Sequence, residues 1–168
     1  MISILRKFLK SFKYAIGGII TCAKHERNFR IHIFAALLII YIIPYYNFSN
    51  AEAVILISVT FLVLILEMIN TALEHLVDLV SPDHHPIAGV VKDLAAGSVG
   101  MSAICALIVG WRMLIMNKNL TQIWAPLFTT WHLFALIAFI VLGCVFVFLP
   151  VIPRKTADSA SLKPTKGD

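Results

Sequence analysis

The sequence predicts an all-α membrane protein: an N-terminal amphipathic surface helix, a core of three membrane spans, and one extra C-terminal transmembrane helix. Three observations lead there. The 168-residue chain is 60% hydrophobic and only 14% charged, a balance that excludes an ordinary soluble domain. Its apolar residues gather into four long runs separated by short polar connectors, which read as membrane spans. The basic residues behind the formal charge of +5 flank those runs, which suits the positive-inside rule better than nucleic-acid binding. Cys22, Cys105 and Cys144 stand singly, so neither a disulfide framework nor a cysteine metal site is expected.

In Met1–Ile16, the residues Ile2, Leu5, Phe8, Leu9, Phe12 and Ile16 fall on one side of a helix, and Arg6, Lys7, Lys10 and Lys13 on the other. That pattern reads as an interfacial helix on an anionic membrane surface. Residues 1–24 are assigned to it. The charged cluster Lys24–Arg30 precedes a first span, Ile31–Tyr46. A turn at Asn47–Asn50 leads into the second, long helix, opened by Ser49 and Glu52 as a capping box and closed at Ser81-Pro82, where proline blocks continuation. The third span covers Val90–Met116, so the three-span core is placed at residues 25–118. Trp124 and Trp131 read as interface anchors for a fourth span, Leu127–Leu149, within residues 119–152. Residues 153–168 read as a disordered Pro/Ser/Lys-rich tail. Lys and Arg counts put both termini and the Asp78–Lys92 loop inside.

The second span carries the chemistry. Glu67, Asn70, Glu74 and Asp78 share one side of it, because offsets of three, seven and eleven residues fall within roughly 80° of helical arc. Each ionisable group at bilayer depth costs about 3 kcal/mol, so a helix carrying three acids on one stripe is expected to use them. The bland alternative is that they are shielded polar groups packed between helices. The apolar run Ala53–Leu66 covers about 21 Å at ~1.5 Å per residue, against a hydrocarbon core of about 30 Å. Glu67 therefore falls in the inner leaflet, with Glu74 and Asp78 successively closer to the cytoplasm. Lys92 and Asp93 open the third span at that level, and Glu26 and Arg30 approach it from the first. Carboxylates, an amide and cations converging there suit a magnesium–nucleotide complex, with a deeper carboxylate left for a membrane-dissolved hydroxyl. That arrangement reads as phosphoryl transfer from a cytoplasmic donor to a lipid alcohol.

Glu67-Met68-Ile69-Asn70-Thr71-Ala72-Leu73-Glu74-His75-Leu76-Val77-Asp78, then Lys92-Asp93-Leu94-Ala95-Ala96-Gly97-Ser98-Val99, resemble the signature of the prokaryotic diacylglycerol kinase family, which includes the undecaprenol kinases. Glu26-Arg27-Asn28-Phe29-Arg30-Ile31-His32 resembles its first block. The resemblance covers roughly residues 5–115. It implies an integral-membrane kinase with Glu67 as general base, Glu26 and Glu74 holding Mg2+, and Asn70, Arg30 and Asp78 in support. It further implies ATP contacts at Lys7, Tyr14, Glu26, Glu74, Asp83, His84, His85, Lys92 and Asp93, a lipid beside Glu67 and Ala96, and a homotrimer in a bacterial cytoplasmic membrane with both termini cytoplasmic. Soluble-kinase glycine-rich motifs are absent from the sequence, in agreement. The small residues Ala95, Ala96, Gly97, Gly100 and Ala103 favour close helix approach. Two features depart from the family pattern. Gly18-Ile19 is followed by Ile20 rather than a basic residue, with Lys24 one turn later. The fourth span is also additional, and reads as an anchoring helix outside the core.

Two other classes compete. A proton- or cation-coupled transporter would use Glu67 as its carrier but leaves Glu26, Glu74, Asp78, Lys92 and Asp93 idle. A non-catalytic scaffold would tolerate neutral substitutions along the stripe. Adjacent His84 and His85, without a third ligand, are a weak metal signal and fit nucleotide contact better.

Overall fold

The computed structural model describes residues 2–46, 48–83, 85–116 and 129–151. They are predominantly helical with no strand among them, and four of the helices are long and apolar enough to cross a membrane. The described elements are α1 (Ile2–His25), α2 (Arg27–Ile42, extended by a 3₁₀ turn at Ile43–Tyr45), α3 (Asn50–Val80), α4 (Pro86–Trp111, continued by a π-type turn at Arg112–Met116) and α5 (Thr130–Phe148).

Helix α1 runs past Gly17-Gly18 to His25 without a break, beyond the amphipathic pattern of Met1–Ile16 and through the 1–24 segment assigned to it. Its apolar stripe is exposed, from Ile4 through Phe12 to Ile16, as an interfacial helix requires. The chain turns at Glu26, whose backbone is extended (φ −115°, ψ 114°). The cluster Arg27–Arg30 therefore lies inside α2, where the sequence reading placed it ahead of the span.

Helix α3 begins as expected. The Ser49 backbone N–H donates to Glu52 Oε2 at 2.8 Å, and the Glu52 N–H donates to Ser49 Oγ at 3.3 Å. This reciprocal cap satisfies two of the donors that a helix start leaves open. Ser49→Ala should cost about 1 kcal/mol, readable as a lower Tm in detergent. The helix ends at Val80, where Ser81 and Pro82 follow. Its 31 residues span about 46 Å at ~1.5 Å per residue, well beyond the ~30 Å of a hydrocarbon core. One end of α3 must therefore stand in the headgroup and aqueous zone. The next helix starts at Pro86, with proline in the first turn, where its missing N–H costs nothing.

Helix α3 packs chiefly on α4 and then on α2, so it is the centre of the bundle. Leu56, Val63, Glu67, Asn70 and Thr71 are its buried positions, and Ala95, Val99 and Ser102 those of α4. Most large apolar side chains remain exposed, as expected where the surrounding solvent is lipid.

The fourth span is not a detached anchor. Helix α5 lies antiparallel along α2 from one end to the other. Tyr45 Oη and His132 Nδ1 are 2.9 Å apart. Phe139 stacks on both Tyr41 (5.6 Å between centroids, 10°) and Phe34 (5.5 Å, 23°). Gly143 faces the Phe34 ring so closely that a Cβ there would run into it. Arg30 completes the seam at the far end, on the carbonyls of Phe146 and Leu149. Of the predicted span Leu127–Leu149, residues 127 and 128 and the anchor Trp124 lie outside the described residues, as do the connector 117–122 and the tail after residue 151.

Candidate active site

The acid stripe on α3 passes from protein interior to surroundings within three turns. Glu67 is 5% exposed, Thr71 4% and Asn70 9%. Glu74 is half-buried, and the Asp78 side chain is 62% exposed. Helical spacing alone gives the shared face; the packing of α2 and α4 on α3 gives the gradient.

Two further carboxylates lie within electrostatic range of its buried end. Glu26 and Glu74 are both close enough to act electrostatically on Glu67, Glu26 by virtue of the corner between α1 and α2. Asn70 links the stripe: its Nδ2 donates to Glu74 Oε1 at 2.8 Å, while its Oδ1 is buried without a hydrogen-bond partner. A buried acceptor left unsatisfied costs about 1–3 kcal/mol, which makes Oδ1 an oxygen available to a cation or donor.

The neighbouring cations are committed elsewhere. Lys92 Nζ pairs with Asp78 Oδ1, joining the C-terminal part of α3 to the N-terminal part of α4. Arg30, expected to support the site through its charge, does something different. It is 4% exposed and directs its guanidinium N–H groups to the carbonyls of Ala23, Lys24, Phe146 and Leu149. Its donors are used by main-chain oxygens, so it does not reach a phosphate from this position.

Clustered carboxylates and a buried amide oxygen form a donor set suited to a hard divalent ion. Among the described residues, no three His, Cys, Asp or Glu side chains group into a cage, so one or two carboxylates would share an ion with phosphate oxygens, the usual habit of Mg2+.

The other expected nucleotide contacts that the structure describes are exposed. Lys7 and Tyr14 are exposed on α1, with Lys10 Nζ 5.8 Å from the centre of the Tyr14 ring. Asp83 and Asp93 are exposed. His85 caps α4, its Nδ1 accepting from the Ile87 N–H at 3.3 Å. His84 lies outside the described residues. Ala96, Gly97 and Gly100 turn away from the chain's own helices, and of the small-residue face only Ala95 is buried, with Ala103 partly so.

Val63, one turn from Glu67, forms part of a groove of about 410 Å³ between α2, α3 and α4. His32, Leu56, Thr60, Ala103 and Leu107 also line it, and it is almost wholly apolar. Sequence reasoning did not find this groove, because it is assembled from three separate helices.

Residues 13–114 match the model of the prokaryotic diacylglycerol kinase family. The chain belongs to that family. Its members are named as lipid kinases, which makes the four-span chain a multi-pass membrane protein of a lipid-kinase family. It is similar to a diacylglycerol kinase of Synechocystis sp., 41% identical over 108 residues, 64% of this chain and 62% of that relative. It thus spans less than two thirds of that protein. Similarity to an undecaprenol kinase of Bacillus subtilis is 40% over 106 residues, covering 63% of this chain and 86% of the relative. The diacylglycerol kinase of Escherichia coli K12 is 29% identical over 111 residues, 66% of this chain and 90% of the relative. The family match includes all three acids of the cluster and ends before α5.

Proposed function

We propose that the protein transfers the terminal phosphoryl group of ATP to the hydroxyl of a membrane lipid alcohol, diacylglycerol or undecaprenol, at the cytoplasmic face. The observation that carries this reading is the buried Glu67, within electrostatic range of Glu26 and Glu74, one turn from the apolar groove lined by Val63 and at the buried end of an acidic stripe that opens toward Asp78. A greasy alcohol can approach from the groove, and a water-borne nucleotide from the exposed end near Asp78 and Lys92.

In this mechanism Glu67 accepts the proton of the lipid hydroxyl as its oxygen forms a bond to the γ-phosphorus and the bond to ADP breaks. Glu26 and Glu74 would hold Mg2+, with Asn70 Oδ1 beside them. The ion, when bound, offsets negative charge on the phosphates, in which most phosphoryl-transfer catalysis resides. Lys92 and Asp93, in the second turn of α4, lie on the nucleotide side, and Lys92 can exchange Asp78 for a phosphate. The domain plan of surface helix, three-span core and added span fits this division of labour. Outward-facing Ala96, Gly97 and Gly100 support close approach of a second copy, as the homotrimeric reading requires.

Lys92→Met should raise the KM for ATP by about 10–100-fold, the worth of a charge-assisted hydrogen bond, with kcat little changed. Initial rates across ATP concentrations check it. The transporter reading leaves the clustered acids without a task and is not favoured by family membership. Purified protein incubated with labelled ATP, Mg2+ and either diacylglycerol or undecaprenol tests the proposal, and chromatography of the product names the lipid. Absence of a labelled lipid in both incubations would end it.

A further inference from the structure

We propose that Arg30 is a positioning residue through which the fourth helix, α5, holds the Glu26 corner of the site. A buried guanidinium must satisfy its donors locally. Arg30 does so on the C-terminal ends of two helices at once. Ala23 and Lys24 belong to the last turn of α1, and Phe146 and Leu149 to the end of α5. Both ends carry carbonyls that lack intrahelical partners and the negative pole of a helix dipole, so a planar cation with forked donors fits between them. The guanidinium also lies 5.8 Å from the centre of the Phe146 ring.

Glu26 is the residue most sensitive to this arrangement. It sits at the break between α1 and α2 in extended backbone, where no continuous helix fixes its direction. Arg30, one turn into α2, reaches back across that break to α1 and outward to α5. The angle at Glu26 is thereby set by three helices. One turn further along α2, Phe34 rests on Gly143, which keeps α5 close enough for its terminal carbonyls to meet Arg30. Helix α5 lies beyond the family match, so this brace is an addition to the shared core. The metal role of Glu26 rests on the reading above; the mechanical link between α5 and the corner does not.

Cys22, 8% exposed and one residue before Ala23, reports the corner directly. The experiment uses full-length protein in vesicles with Cys105→Ser and Cys144→Ser, and compares Gly143→Val, Arg30→Met and Arg30→Lys. Two quantities are read: the rate of maleimide labelling at Cys22, and the Mg2+ concentration giving half-maximal lipid phosphorylation. Gly143→Val leaves every site residue unsubstituted and wedges α5 away from α2. It should speed Cys22 labelling and raise the Mg2+ requirement by about tenfold, as loss of an outer-shell support does, with kcat at saturating Mg2+ unchanged. Arg30→Met should do the same. Arg30→Lys, which keeps the charge and loses the fork, should fall between it and the parent, and carries the test if Arg30→Met does not insert. Unchanged labelling in Gly143→Val overturns the proposal, as does faster labelling with an unaltered Mg2+ requirement. If no variant, nor the parent, phosphorylates lipid, the kinase reading fails, and the labelling rates still decide whether α5 braces the corner.

Discussion

Glu67→Gln should lower kcat by about 10²–10⁴-fold, the usual worth of a positioned base, and leave ATP binding measurable and near its original strength. The substitution keeps size and shape, replaces one carboxylate oxygen by an NH2 donor, and removes the ability to take a proton there. Glu67 is buried within electrostatic range of Glu26 and Glu74, so a neutral side chain of the same size should be tolerated there. Initial rates with saturating lipid, set beside equilibrium binding of a non-hydrolysable ATP analogue, separate the two effects. A parallel loss of nucleotide affinity would place Glu67 on the phosphates and contradict the assignment.

Glu74→Ala should raise the Mg2+ concentration needed for half-maximal activity, by about 10–100-fold if Glu74 is a metal ligand or its direct support. The change also deprives Asn70 Nδ2 of its acceptor, at about 1–3 kcal/mol for a buried donor left unpaired. Glu74→Gln keeps an acceptor oxygen for Asn70 and loses the charge. The metal role therefore expects Glu74→Gln to share the raised Mg2+ requirement while recovering thermal stability. If Glu74→Gln titrates with Mg2+ like the parent, Glu74 serves only to hold Asn70.

Features written in short stretches of chain were legible. Ser49 and Glu52 form a cap from neighbouring atoms, and Pro82 stops α3 through its own ring, so both ends of that helix follow from a few residues. The acid stripe was equally visible, since helical periodicity alone puts Glu67, Asn70 and Glu74 on one face. The Glu26 corner was less so. Charge density suggested a polar lead-in before the first span, yet Arg27–Arg30 are helical because Arg30 finds carbonyl partners and need not face water. Those partners, Phe146 and Leu149, lie 116 and 119 residues away, and no local pattern announces them. The small-residue stripe on α4 likewise carried no label for which of its members would face inward.

Hydrophobic run lengths, helix stops and the phase of the acids along α3 were properties of the chain alone, since bilayer thickness and a 3.6-residue turn fix them wherever the helices go. Only packing decided that Glu67 is buried while Asp78 is open, that Glu26 meets the stripe across a bend, and that α5 lies along α2. Burial and encounter depend on which surfaces of different helices come together. That is settled by side-chain shape and by where a desolvated charge such as Arg30 can find oxygen.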